Sequence, residues 1–129
     1  MFDWPATIDA LPPGTDPGRA ERLAERLAAD GAAPPGARFA RLIAFAAACS
    51  PHLAQAMTRE AGLLPEIAAH GPAAVAEAGI AACAAAAQAE GREDLFARLR
   101  VAKRRTALAI ALGDIAGALS LDEVTGALT

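Results

Sequence analysis

A cluster of basic side chains is the strongest candidate for chemistry in this sequence. Five of the twelve Lys and Arg residues lie within eight positions: Arg98, Arg100, Lys103, Arg104 and Arg105. At 100° per helical residue, Arg100, Lys103 and Arg104 share one side of a helix, while Arg98 and Arg105 lie near each other on another. Arginine suits carboxylate and phosphate groups because its planar guanidinium donates in a fixed fork. The spacing therefore predicts a stripe that contacts an anion or a partner; an ordinary solvated helix face is the alternative.

Residue types for covalent or metal catalysis are scarce. The sequence has two His, two Cys and no Tyr, whereas a zinc site takes about four ligands. Cys49 and His52 are close in sequence, but Ser50-Pro51 places a helix boundary between them. No phosphate-binding glycine loop of the GxxxxGK[ST] or GxGxxG type is present. We therefore predict that this chain has no catalytic residue, no metal site and no cofactor of its own.

Asp114 is the exceptional acidic residue, because its neighbours in ALAIALGDIAGAL are apolar. It shares a helix face with Lys103, but the two are roughly 16 Å apart along the axis and cannot pair within one helix. A buried carboxylate needs a partner. We therefore predict a partner for Asp114 from another segment or a local opening to water, and include it as a candidate contact residue.

Glycine and proline divide the chain into Ala- and Leu-rich segments that are typical of helices. Helices are predicted over 17–30, 37–49, 51–62, 72–90 and 92–119, with a short helical turn around Trp4, Ile8 and Leu11. Leu63–His70 is predicted to be a short segment between two of these helices. A capping box formed by Ser120 and Glu123 predicts a sixth helix, which reaches Thr129 after barely two turns. Because so short a helix is marginal alone, we expect the chain to be an excerpt of something longer.

The longest predicted helix, 92–119, carries an apolar seam. Leu108, Leu112, Ile115 and Leu119 recur at helical spacing, and Val101 extends the seam one heptad upstream. Gly113 and Gly117 are predicted to lie inside this helix, where they admit a close neighbour. The helix before it is so rich in alanine that its surface of small residues is expected to let a neighbouring backbone approach closely.

Composition favours a single all-α domain over residues 1–129. Apolar residues make up 54% of the chain, but 38 of them are Ala, and only three Val and six Ile are present. The remaining larger apolar side chains suffice for one small core, and strands find little support. We predict a compact bundle of five to six helices with one long central helix.

Charge and hydropathy exclude two classes of partner. The formal net charge is −3, and no aromatic residue interleaves with the basic stripe, so we predict no nucleic-acid binding. The longest uncharged apolar run covers twelve residues, 78–89, whereas a membrane span takes about 20. Two Cys give no disulfide framework. These features predict a cytoplasmic protein that does not enter a membrane.

The residues from Ser50 to Thr129 resemble bacterial glutamate–ammonia-ligase adenylyltransferases, the enzymes that adenylylate glutamine synthetase and remove the adenylyl group. In that family a basic stretch leads into an apolar helix with an ALxDLxG core, followed by a helix with an xxVTxxL pattern. The matching pieces here are Lys103–Arg105, Ala111–Gly117 and Glu123–Thr125, and SPHLAQAM at 50–57 is similar to the family's SPYLA segment. The Ala-rich region 71–90 is shorter than in the family, and the first fifty residues match only in being helical.

The resemblance implies a much longer, bifunctional parent that uses ATP and Mg²⁺. Its two nucleotidyltransferase domains act on a tyrosine of glutamine synthetase, and a PII signalling protein regulates their balance. The family's catalytic motif, a Gly-Ser turn followed by an acidic pair on a strand, has no counterpart in this sequence. The expectation is therefore a non-catalytic helical part that precedes the first catalytic domain.

Two functional hypotheses follow. In the first, the chain scaffolds the downstream catalytic domain, and the basic stripe touches that domain or a partner protein; the parent's partners are glutamine synthetase and the PII protein. In the second, the chain is a free-standing helical adaptor or regulatory module of unrelated ancestry.

Overall fold

The computed structural model describes residues 1–119, which form helices joined by short turns. The α-helices are α1 (Pro17–Ala29), α2 (Ala37–Cys49), α3 (Pro51–Arg59), α4 (Leu64–His70), α5 (Pro72–Ala85) and α6 (Arg92–Ala116). Short 3₁₀ helices cover Ala6–Ala10, Ala61–Leu63 and Ala86–Gln88. No strand occurs in the described residues, and the predicted all-α fold is confirmed. The helix predicted to begin at Ser120 lies outside these residues.

The five predicted helices begin where the sequence predicts, and at two of them a side chain caps free backbone N–H groups. The Asp16 carboxylate accepts a hydrogen bond from the backbone N–H of Arg19 at 3.0 Å, and Pro17 follows in the first turn of α1. The Ser50 hydroxyl accepts from the N–H of Leu53 at 3.1 Å at the start of α3. Such caps supply partners for donors that a helix leaves unpaired at its N-terminus.

The core lies between the first four helices and the C-terminal half of α6. Large apolar side chains from each of these elements are buried there: Leu27, Phe39, Leu42, Met57, Leu64, Ile67, Leu108 and Leu112. The N-terminal segment adds Ile8 and Trp4, whose indole ring lies 5.2 Å from the ring of Phe39. The helical turn predicted in this segment is present as the 3₁₀ helix Ala6–Ala10.

Two helix ends and one short segment differ from the predictions. The third helix ends at Arg59 rather than at Gly62. The Ala-rich helix, predicted to end at residue 90, ends at Ala85 and is followed by the 3₁₀ helix Ala86–Gln88. The segment 63–70, for which the sequence predicts no helix, forms α4 over Leu64–His70. Its Leu64, Ile67 and Ala68 face the core, so tertiary packing stabilises a helix too short to be stable alone.

The end of the long helix corrects a further prediction. Gly117 adopts a left-handed conformation, with φ of 69°, and ends α6 after Ala116. The N–H of Ala118 donates to the carbonyl of Gly113 at 2.9 Å, as in a glycine-capped helix end. The helix therefore does not continue to Leu119, and Gly117 is a terminator rather than an interior residue.

The close approach predicted for the Ala-rich helix is confirmed where α5 crosses α6. A side chain at Gly79 would collide with the Thr106 hydroxyl and would place its Cβ 3.1 Å from that of Thr106. Only glycine therefore lets the two helices pack at this distance. Among the described helices, none is both long and apolar enough to cross a membrane.

Candidate interaction surface

The basic cluster lies on the half of α6 that stands clear of the core. The helix is roughly 37 Å long, and of its buried residues only Ala102 precedes Leu108. The cluster, from Arg98 to Arg105, therefore lies on a helical segment that is outside the core but packs against α5.

Ion pairs to other segments hold two of the five cations. The Arg104 Nε lies 3.2 Å from Glu60 Oε1, and the Arg105 Nη2 lies 2.8 Å from Glu66 Oε2. Glu60 follows α3 and Glu66 lies in α4. These pairs connect the predicted stripe to neighbouring helices, so part of its charge is compensated within the chain. Sequence reasoning did not identify either acidic residue, because about forty positions separate each pair.

The remaining members of the cluster divide into one local pair and two exposed cations. Arg98 Nε lies 3.1 Å from Asp94 Oδ2, one turn earlier on the same helix. Arg100 and Lys103 are exposed, and neither forms an ion pair with any residue in 1–119. The positive charge available to a partner is thus concentrated on these two side chains.

A groove with basic residues on its rim runs between α3 and α6 and has a volume of about 490 Å³. This basic groove is lined by His52, Leu53, Gln55, Ala56, Arg59 and Glu60 on one side and by Lys103, Arg104, Ala107, Leu108 and Ala111 on the other. Small apolar side chains form much of its wall, and charged side chains cluster at the Arg59 and Lys103 end. It can therefore accept an apolar surface that carries negative charge.

A second, larger groove of about 700 Å³ lies on the other side of α6, against α5. Among its lining residues are Val75, Ala78, Ala82 and Val101, and we call it the apolar groove. Val101 is 42% exposed, so the prediction that it extends the buried seam is wrong. The part of α5 that lies beside Val101 carries mostly alanine side chains, which are too short to enclose the Val101 side chain.

Asp114 is exposed, so of the two predicted alternatives, a partner from another segment or a local opening to water, the structure agrees with the second. Its neighbour Leu112 is fully buried, but successive helical residues point about 100° apart, and Asp114 falls on the solvent side. It lies on the same face as Lys103, Ala107 and Ala111. None of the ion pairs among residues 1–119 involves it.

Other arginines, which sequence reasoning did not single out, stabilise the fold. Arg38 donates to the Asp9 carboxylate, at 3.1 Å from Nη2, and to the Trp4 carbonyl at 3.2 Å. The hydrogen bond from Asp9, together with its negative charge, raises the pKa of Arg38 above its ordinary value. Arg19 donates to the carbonyl of Ala47 at 2.6 Å, at the C-terminal end of α2. These arginines hold backbone carbonyls and are committed to structure.

The predicted contact residues lie on one helix but differ in how far they are open to a partner. Within residues 1–119, no three His, Cys, Asp or Glu side chains come together in a group that could hold a metal ion. All five predicted contact residues lie on α6, but they do not form one stripe. Arg100, Lys103 and Asp114 are open to solvent, whereas Arg104 and Arg105 brace the fold.

Comparison with known proteins identifies a family. A scan against protein-family models matches residues 39–129 to the family described as glutamate-ammonia ligase adenylyltransferase. The match begins at Phe39 in α2, upstream of the expected start at Ser50, and it confirms the resemblance inferred from the sequence. No curated protein and no solved structure matches the chain.

Proposed function

The chain belongs to the glutamate-ammonia ligase adenylyltransferase family, and from that premise we propose that it supplies a helical, non-catalytic part of an enzyme that adenylylates and deadenylylates glutamine synthetase. The observation that carries this proposal is the family match over 39–129, a stretch that is helical throughout its described elements. The Gly-Ser turn of the family's catalytic motif is missing from the sequence. ATP and Mg²⁺ would then be handled by a catalytic domain elsewhere in the parent.

Two features of the structure suit a scaffolding role. The C-terminal half of α6 is embedded in the core, where Leu108 and Leu112 are buried. The preceding half packs along α5 and presents Arg100 and Lys103 to solvent. A helix held in place along its length positions contact residues with little loss of conformational entropy on binding. We propose that these cations contact the catalytic domain, glutamine synthetase or a PII protein, in the cytoplasm.

A chimera tests the scaffold role directly. In a full-length glutamate-ammonia ligase adenylyltransferase, the corresponding helical region is replaced by residues 1–129, and transfer of labelled AMP to glutamine synthetase and its release are measured. We expect the chimera to keep both activities and the 129-residue chain alone to show neither. Release of AMP from adenylylated glutamine synthetase by the chain alone would overturn the proposal, as would an inactive but folded chimera.

Charge reversal in the chimera tests the contact role. We expect Arg100→Glu with Lys103→Glu to lower the rate of AMP transfer or release by about tenfold, because each reversed cation replaces attraction by repulsion at the interface. The matched control reverses two exposed cations of α1, Arg22→Glu with Arg26→Glu, and is expected to keep the rate. Equal rates for the two double variants would remove Arg100 and Lys103 from the contact.

A further inference from the structure

We infer that the basic groove binds an acidic amphipathic helix of a partner protein, lying along α6. The inference rests on the proposed contact role and names the chemistry of the partner. The helix places its apolar side on Ala56, Ala107 and Ala111 and its carboxylates near Arg59 and Lys103.

The wall of the groove has the shape that a helix requires. Ala107 and Ala111 are one turn apart on α6, and Ala56 faces them from α3. Small side chains at such positions let a third helix approach toward the short end of the usual range of about 8–10 Å between axes. Leu53, which is partly exposed, also lines the groove and extends its apolar surface.

The charge at one end of the groove selects an acidic occupant. Arg59 and Lys103 both line it, both are exposed, and neither is paired with a residue in the described part of the chain. Arg104 is already held by Glu60, whose side chain is only 14% exposed, so this pair adds little net charge. Arg100 lies one turn before Arg104 and continues the positive surface beyond the groove.

Asp114 determines the orientation in which the partner helix binds. It lies on the same α6 face as Lys103, roughly 16 Å further along the axis, so this face is positive at one end and negative at the other. A complementary helix carries Asp or Glu at one end and Lys or Arg about eleven residues away. Such paired charges fix register and orientation more than they raise affinity.

Three synthetic peptides of about 18 residues, roughly 27 Å long as helices, test the inference on the 129-residue chain. The first has a Leu/Ala face, Glu residues at one end and one Lys at the other; the second replaces Glu by Lys; the third keeps Glu but replaces the apolar face by Gln. Binding is measured by fluorescence anisotropy. We expect the first peptide to bind at least about tenfold more tightly than either of the others. Equal binding of all three, or tighter binding of a single-stranded oligonucleotide of equal charge, would overturn the inference.

Variants of the chain locate the binding surface. Ala107→Glu introduces bulk and negative charge into the basic groove at an exposed position, and we expect it to weaken binding of the first peptide at least about tenfold. Ala84→Glu makes the same change on an exposed alanine of α5 and is expected to leave binding within about twofold. Circular dichroism confirms that both variants are folded. Equal affinities for the two variants would place the peptide elsewhere and contradict the proposed groove.

The direction is tested by Asp114→Lys. This change should weaken binding of the first peptide a few-fold, but it should not weaken binding of a version of the peptide whose terminal Lys is replaced by Gln. Equal effects on both peptides would contradict the orientation. Because these measurements use the isolated chain, an unbound peptide and an inactive chimera are separate results: the first overturns the helix partner, and the second overturns the scaffold role.

Discussion

The two halves of α6 differ in what surrounds them, although one uninterrupted helix contains both. From Leu108 to Ala116 the helix contributes Leu108, Ala109, Ile110, Leu112 and Ala116 to the buried core. Before Leu108 only Ala102 is buried, while Phe96 and Val101 are exposed to about half and two fifths of their full surface. The comparison shows how a single helix can be anchored by one half and present side chains with the other.

Charge follows the same division. Residues 92–105 contain eight charged side chains, whereas residues 106–116 contain only Asp114. Charged side chains are rarely buried unless they are paired, so the first half cannot enter the core and the second half can. Stability therefore depends mainly on the second half, whereas the first half presents most of the charged side chains to solvent.

The largest expected difference between the halves comes from truncating one apolar residue in each. Leu112 is fully buried, and we expect Leu112→Ala to lower the free energy of unfolding by about 2–5 kcal/mol, because it removes apolar contacts and leaves a cavity. Val101→Ala should change it by less than about 0.5 kcal/mol, since the side chain is exposed and alanine is the better helix former. Chemical denaturation measures both values. A loss below about 0.5 kcal/mol for Leu112→Ala would place the anchor elsewhere.

The crossing of α5 and α6 at Gly79 tests how the exposed half is held. Gly79→Ala drives its new methyl group against Thr106, whose hydroxyl donates to the Ala102 carbonyl at 2.7 Å. Overpacking costs about 1–3 kcal/mol, and alanine recovers up to about 1 kcal/mol through helix propensity, so we expect a net destabilisation of about 1 kcal/mol.

Two controls accompany the Gly79 variant. Gly62→Ala meets no atom within 4 Å and should be neutral or stabilising by up to about 1 kcal/mol. Adding Thr106→Ala to Gly79→Ala should restore part of the lost stability, because it removes the colliding hydroxyl. A stable Gly79→Ala variant without this second change would show that the helices can separate freely at this point.

Sequence patterns predicted the helices more accurately than the tertiary contacts that bury or expose their side chains. Asp16 and Ser50 marked helix starts correctly, because a cap is a local interaction between residues three positions apart. Periodicity placed Leu108 and Leu112 in the core, but it extended the same seam to Val101. Burial there depends on the neighbour that the fold supplies, and that neighbour is an alanine-rich helix.

Charge was harder to predict for the same reason. The stripe was correctly placed on α6, but Glu60 and Glu66 come from other segments and compensate part of it. For Asp114, the apolar neighbours left open a partner from another segment or an opening to water, and the helical phase of the residue places it on the solvent side. Long-range pairing leaves no local signal in one sequence, so the division of the basic cluster needed the structure.

The smallest expected effect concerns the two ion pairs that brace the exposed half, and it separates the influence of distance from that of burial. Arg105 and Glu66 are closer, at 2.8 Å, but their side chains are 40% and 54% exposed; Arg104 and Glu60 are 3.2 Å apart, and Glu60 is 14% exposed. Exposed pairs typically contribute about 0–1 kcal/mol, because solvent screens them and ordering both side chains costs entropy. We expect double-mutant cycles with Arg→Gln and Glu→Gln to give a larger coupling energy for Arg104–Glu60, at the upper end of that range. Added salt should weaken the Arg105–Glu66 coupling more, because water surrounds it on more sides. A larger coupling for the shorter pair would mean that contact distance, rather than burial, governs how the exposed half of α6 is braced.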